Sequence, residues 1–319
     1  MNKQILSLLL TCIVASIIIE SCSKASNSSA TATTPPASLN EIMASLRPIP
    51  ENLSVAAGRD TVVYGADSTL LHFYANSFEN ASGIITSGIV NLQLTEVYKP
   101  GDFVLNRVTT MVNTSFLSCY GAIKLVATMN GATVSANKYG VGFKQPGTLS
   151  VPLQLYFGNT TNADTVTEWA QGSNTTGTTA TTTTDSVDNQ HNNSLYFNFD
   201  SCSAFNWVCC GALYTSSLSL VNISVALPSS SYSNSYTEVF LLFPAIKACV
   251  PVDVYNGNTY TFSLANEVPS GLAYELAVVT ADGTWYYYEQ SGVTVSGLAI
   301  TATPSQATWT GLVTTVEAL

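Results

Sequence analysis

Charge is what this chain has least of. Charged residues make up 9 % of its 319 positions, against about 25 % in an ordinary soluble domain. Beyond Lys144 only Lys247 is basic, and the formal net charge is −10. With no Lys/Arg patch and a net negative field, nucleic acid is excluded as a partner. Histidine is as scarce: His72 and His191 are the only two. His191 sits in a polar low-complexity stretch, so a Ser-His-Asp or Cys-His site would have to use His72, and no Gly-x-Ser-x-Gly elbow accompanies it. There is no Cys-x-x-Cys and no paired histidine, so no zinc site is expected. No Asp-x-Asp-x-Asp-Gly loop is written, so no calcium loop is expected. The sequence gives no cofactor signature, and we expect no catalytic residues.

What is present is apolar, hydroxylated and aromatic. Apolar residues reach 46 %, enough for a sizeable core. Thr, Val and Tyr favour strands over helices.

The first positions read as an export signal. Lys3 precedes the apolar run from Ile5 to Ile19, which is shorter than the roughly 20 residues a spanning helix needs. Glu20-Ser21-Cys22 and a small polar run follow. Cleavage before Cys22 would leave a lipidated cysteine, whose two or three acyl chains anchor stably. Ile19 and Glu20 depart from the usual residues before such a cysteine. Cys12 is a rival with a shorter apolar core, and an ordinary secretory cut near Ser21 is the plain alternative. The reading is therefore a signal at 1–21 and a tether at 22–37. Which face of the outer membrane the protein occupies stays open.

A short helix and connector are expected over 38–54. Ser38 and Glu41 form a capping box, and Leu39, Ile42, Met43 and Leu46 share one face. Period two then begins. Val90, Leu92 and Leu94 alternate with Asn91, Gln93 and Thr95. Asn130-Gly131 is a hairpin turn, and Lys99-Pro100-Gly101-Asp102 reads as a turn. Residues 55–158 are read as one β-sandwich. Residues 159–194, with their Thr-rich run, are read as a low-complexity linker, although Val166 and Trp169 could pack on the first domain. Residues 195–319 are read as a second sandwich, closed by strands over Gly292–Thr301 and Thr308–Val316. The fold class is all-β: two antiparallel sandwiches behind a lipoprotein signal and one short helix.

The order of Thr69-Leu70-Leu71-His72-Phe73, Gly121-Ala122-Ile123-Lys124-Leu125, Leu155-Tyr156-Phe157-Gly158 and Asn206-Trp207-Val208-Cys209-Cys210 resembles a group of uncharacterised Bacteroidetes secreted proteins and lipoproteins. The first domain of that group is similar to the ZU5-type β-sandwich. The resemblance covers roughly Leu70 to Tyr288. It implies the fold and an envelope location, and no reaction, cofactor or catalytic residue. Gly211 stands where the group carries an acidic residue.

Several residues remain as candidates. Cys119, Cys202, Cys209, Cys210 and Cys249 lie beyond the signal, and export permits disulfides. A disulfide among Cys202, Cys209 and Cys210, or from one of them to Cys249 or Cys119, is expected, with Cys202 or Cys209 to Cys210 or Cys249 preferred; adjacent Cys209 and Cys210 would face opposite ways in a strand. Asp60, Asp164 and Asp185 each precede Thr or Ser and then Val, a short O-glycan acceptor pattern that makes Ser186 a candidate. Trp207, Trp285 and Tyr287 could stack sugar rings, or simply fill the core. Carboxylates for glycoside cleavage could come from Asp200, Glu238, Asp253, Glu267, Glu275 and Glu289. Three functional readings follow: a non-enzymatic envelope lipoprotein for adhesion, assembly or scaffolding; a carbohydrate-binding lipoprotein of a glycan-uptake system; and a hydrolase. The partners expected are the membrane, through the lipid, and a glycan or another envelope protein.

Overall fold

Strand Ile89–Val97 shows how the layers arise. Val90, Leu92 and Leu94 are buried while Asn91 and Gln93 are exposed, so the alternation read from sequence is realised. Thr95, on the polar face, is buried as well. Both faces of this sheet are therefore covered at one end. The computed structural model describes residues 39–145, 152–162, 165–172, 182–184, 195–203, 205–281 and 284–319. Cys22, Ser38, Ser186 and His191 fall outside them.

The central sheet runs Thr165–Gln171, Gln154–Asn162, Asn206–Leu213, Ser115–Met129, Ile89–Val97, Glu51–Ala56, all antiparallel. One face packs on a second sheet of Thr182–Thr184, Leu195–Cys202, Tyr139–Gln145, Leu70–Phe73 and Thr61–Tyr64. Leu92, Ile123, Leu125 and Val208 from the first sheet meet Leu71, Phe73, Phe143 and Phe199 from the second.

A second sandwich follows. Its five-stranded sheet is Ala248–Pro251, Thr237–Phe243, Ala273–Ala281, Trp285–Val293, Ser305–Gln306. Its four-stranded sheet is Val254–Asn256, Thr261–Ser263, Ile223–Ala226, Leu298–Thr301. The chain is all-β, of sandwich type; among the described strand pairs, Ile223–Ala226 and Leu298–Thr301 depart from antiparallel order and run parallel.

The division into domains differs from the sequence reading. Leu195–Cys202 and Asn206–Leu213, assigned to the second sandwich, complete the two sheets of the first. Thr165–Gln171, assigned to the linker, is an edge strand of the central sheet. Its Trp169 is buried and donates its indole N–H to the Thr109 carbonyl at 2.6 Å. Alternation identifies a strand without naming the sheet it joins.

A third core lies between the sandwiches. Val97, Ala122, Trp207 and Cys209 on the outer face of the central sheet share it with Phe240, Leu242, Ala277 and Val279 of the five-stranded sheet. Three helices fill the space between them. Leu39–Leu46 contributes Met43 and Leu46, as its spacing predicts. Pro100–Asn106, read as a turn, is a helix: Pro100 suits the first turn, and the Asp102 carboxylate accepts the Lys99 N–H at 2.9 Å. Trp309–Glu317, read as a strand, is also a helix. The Thr308 hydroxyl caps it by accepting the Gly311 N–H at 3.1 Å. Leu312 and Val316, four residues apart, are both fully buried. The two later helices touch where Gly101 meets the Val316 carbonyl, and a Cβ there would collide with that oxygen.

Candidate functional site

The outer face of the central sheet changes character along its strands. Register places Val97, Ala122 and Cys209 in one row, and Thr95, Lys124 and Trp207 in the next row on the same face. The first row is apolar core. The second, with Gln93 and Val126, floors a cavity of about 290 Å³. Its far wall is the end of the first helix and the chain beyond it: Ala44, Arg47, Pro48, Ile49 and Pro50. Asn106, at the end of the second helix, completes the lining. Pro48 and Pro50 end the helix and hold this wall extended.

The chemistry of the cavity is uneven. It brings together two of the chain's few cations, Arg47 and Lys124, with three amide or hydroxyl side chains, and no carboxylate is in its lining. The Trp207 indole closes one side. That side chain is 3 % exposed, and its Nε1 has no hydrogen-bond partner in the described protein. A buried N–H without an acceptor costs about 1–3 kcal/mol, so this wall of the cavity carries a cost in stability. Cations, hydroxyls, one indole and apolar proline edges make up a lining suited to a small, oxygen-rich anion.

A second polar site lies further along the same core. Arg107 is the left-handed residue that ends helix Pro100–Asn106 (φ 53°), and it forms an ion pair with Glu238. Its guanidinium also donates to the Asn40 side chain at 2.8 Å. Burial raises the Glu238 pKa, and Arg107 and then Arg47 oppose that shift. Asp253, raised by burial too, joins Arg107 and Glu238 in lining a second, separate cavity, also of about 290 Å³. Arg107 clamps Glu238 and joins helix to sheet, a structural task. Glu238 and Asp253 are the two candidate carboxylates that this second cavity brings together.

The other candidates fall as follows. Trp285 and Tyr287 are 6 % and 8 % exposed and belong to the core between the sandwiches. They offer no open stacking face, because that side of their strand is covered by the central sheet and helices. Of the three aromatic candidates, Trp207 lines a cavity. His72 lies between Asp60, 3.2 Å from its Nε2, and the Tyr74 ring, 4.4 Å away between centroids. Asp60 is its one hydrogen-bond partner among the described residues, and no nucleophile joins them.

None of the expected cysteine pairs stands at bonding distance among the described residues. Cys119, Cys202, Cys209, Cys210 and Cys249 are all buried. Cys209 and Cys210 do face opposite ways: Cys210 lies with Cys202 in the first core, and Cys209 lies with Cys119 and Cys249 in the core between the sandwiches. The close sulfur contact is between Cys119 and Cys209, at 2.6 Å. Cys119, one of the wider set of possible partners, is turned to that face by a bulge that is invisible in sequence.

Compared with known protein families and with curated proteins, the chain matches no family model and no curated sequence. Among the described residues no helix is long and apolar enough to cross a membrane, and no group of three or more metal-binding side chains occurs.

Proposed function

We propose that this chain is a non-catalytic envelope lipoprotein, anchored through Cys22, that binds a small acidic sugar in the cavity between Arg47 and Trp207. One observation carries the reading: the Thr95–Lys124–Trp207 row, facing Arg47, sets two cations and an indole around a cavity lined by no carboxylate. A hexuronate offers a group suited to each part of this lining. Its carboxylate suits Arg47 and Lys124. Its hydroxyl and ring oxygens suit Thr95, Gln93 and Asn106, and its apolar ring face suits Trp207 and the prolines. A cavity of about 290 Å³ suits one sugar residue better than a long glycan chain, for which a groove would be needed. The lipid anchor rests on the Ile5–Ile19 apolar run and Cys22. Intact-mass measurement of the membrane fraction tests it: an unmodified, soluble N-terminus would remove the anchor.

The binding experiment is calorimetric titration of the exported protein with glucuronate, galacturonate and their neutral hexoses. We expect the uronates to bind and the hexoses to give no heat. Equal heats for acid and neutral sugar, or none for either, would overturn the reading.

A scaffolding role is the second reading, favoured by exposed Leu220, Val293 and Val295 near one end of the second sandwich. Chemical cross-linking in intact envelopes, followed by identification of a partner joined at these residues, tests it.

A further inference from the structure

We infer that Cys119 and Cys209 form a disulfide that ties Asn206–Leu213 to Ser115–Met129, leaving Cys202, Cys210 and Cys249 as thiols. The inference is independent of the binding reading. It starts from the strand register. Cys209 pairs with Ala122 and Cys210 with Gly121, and then the register shifts so that Gly211 pairs with Cys119. Tyr120 is the extra residue. In an unbroken strand Cys119 would face away from Ala122, into the first core, because successive side chains alternate. The bulge adds one position and turns Cys119 to the face that carries Ala122 and Cys209. Gly121 sits in the bulge with φ 156°, where an added Cβ would meet Tyr98 and Phe143. The result is two sulfurs 2.6 Å apart in a buried place, inside the van der Waals separation of two unbonded sulfurs.

The other thiols are placed differently. Cys210 and Cys202 lie across the sheet from this pair. Cys249 belongs to the same core as the pair, on a strand tied to Thr110 by its own N–H, 2.8 Å from the Thr110 hydroxyl.

The chemistry is ordinary thiol–disulfide exchange. One cysteine, as thiolate, attacks an oxidant that carries a disulfide, such as a periplasmic thiol oxidase, and releases one oxidant sulfur as a thiol. The second cysteine attacks the mixed bond and releases the other. Two electrons and two protons pass to the oxidant, and one S–S bond replaces another. Burial raises the Cys209 thiol in the folded protein, so the exchange belongs before this core closes. The bond would hold the strand of Trp207 in register with the strand of Lys124, and so fix the floor of the cavity.

The test uses the full chain exported to an oxidising bacterial compartment, denatured without reductant in an alkylating reagent and digested. The expected product is one peptide pair joined through Cys119 and Cys209, with alkyl groups on Cys202, Cys210 and Cys249. Alkylation of both Cys119 and Cys209, or a bond from either to another cysteine, would overturn the inference. A second measurement compares thermal midpoints with and without reductant for the wild type and C119A/C209A. Reductant should lower the wild-type midpoint and leave that of the double variant unmoved; an equal response in both would overturn it.

Discussion

Lys124 and Trp207 stand directly opposite each other on neighbouring antiparallel strands, on the one face where the sheet passes from core to cavity. Opposed residues of this kind have Cβ atoms about 4.5–5.5 Å apart. An ammonium and an indole edge can therefore act on one bound sugar. On this reading Lys124→Gln should weaken uronate binding at least tenfold, since a charge-assisted hydrogen bond is worth about 1.5–3 kcal/mol. Lys124 is half-buried, so stability should change by less than about 1 kcal/mol. Calorimetry and a melting curve on the same sample check both. Trp207→Phe, which keeps an aromatic wall and removes a buried N–H that has no acceptor, should leave uronate binding little changed.

Arg107→Ala should cost more stability than any cavity substitution. It leaves the Glu238 carboxylate in a largely buried place without its guanidinium, and breaking such a pair costs about 3–5 kcal/mol. Arg107→Ala with Glu238→Gln should recover part of the loss. Chemical denaturation of the four proteins of this double-mutant cycle measures the coupling.

Mild acid should stabilise this protein. Burial is the leading cause that raises Glu96, Asp102, Glu238 and Asp253 above their ordinary range. A carboxyl whose native pKa exceeds its unfolded pKa binds its proton more tightly in the folded state. Between those two values the native state holds more protons, so stability falls as pH rises through the window and recovers as pH drops. The melting midpoint should rise on moving from about pH 7.5 to about pH 5, the unfolded carboxyl range lying near 4. Glu96, which accepts the N–H groups of Asp67 at 2.7 Å and Thr69 at 2.9 Å, is one contributor. Glu96→Gln should flatten the slope. A midpoint that falls steadily over this range would contradict the argument.

Gly101→Ala should destabilise by about 1–3 kcal/mol, the usual cost of overpacking, because its Cβ meets the Val316 carbonyl rather than a yielding side chain. Leu312→Ala, which empties a fully buried site on the same helix, should cost about 2–5 kcal/mol. Urea titration distinguishes both from Gly131→Ala, whose Cβ meets nothing but whose φ of 80° strains the turn.

Much of the fold was legible wherever a pattern is local. The Asn130-Gly131 turn, with φ of 52° and 80°, has the positive values that pair was read for. Met43 and Leu46 point inward as their helical spacing requires. Trp309–Glu317 was missed because Thr and Val outweighed two subtler signals, a Thr308 cap and the Leu312/Val316 spacing. Pro100–Asn106 was missed because a Pro-Gly pair reads as a turn even where proline opens a helix. The cavity was legible only through Trp207. Its other members come from four separate segments, and register, which no single segment states, brings Thr95, Lys124 and Trp207 into line. Trp285 and Tyr287 were rightly seen to alternate with Tyr286 and Tyr288. Which of the two faces stays open is decided by the other sandwich.

The insertion of Asn206–Leu213 between Gln154–Asn162 and Ser115–Met129 sets an order for biogenesis. Until Leu213 has been delivered, a fifteen-residue strand keeps one long margin of unsatisfied amides and carbonyls, the surface along which stray chains aggregate. A nascent chain halted after the first two hundred residues would be an open sheet with half its wall missing, in need of a chaperone. Truncation anywhere before that strand therefore yields no independent half-protein.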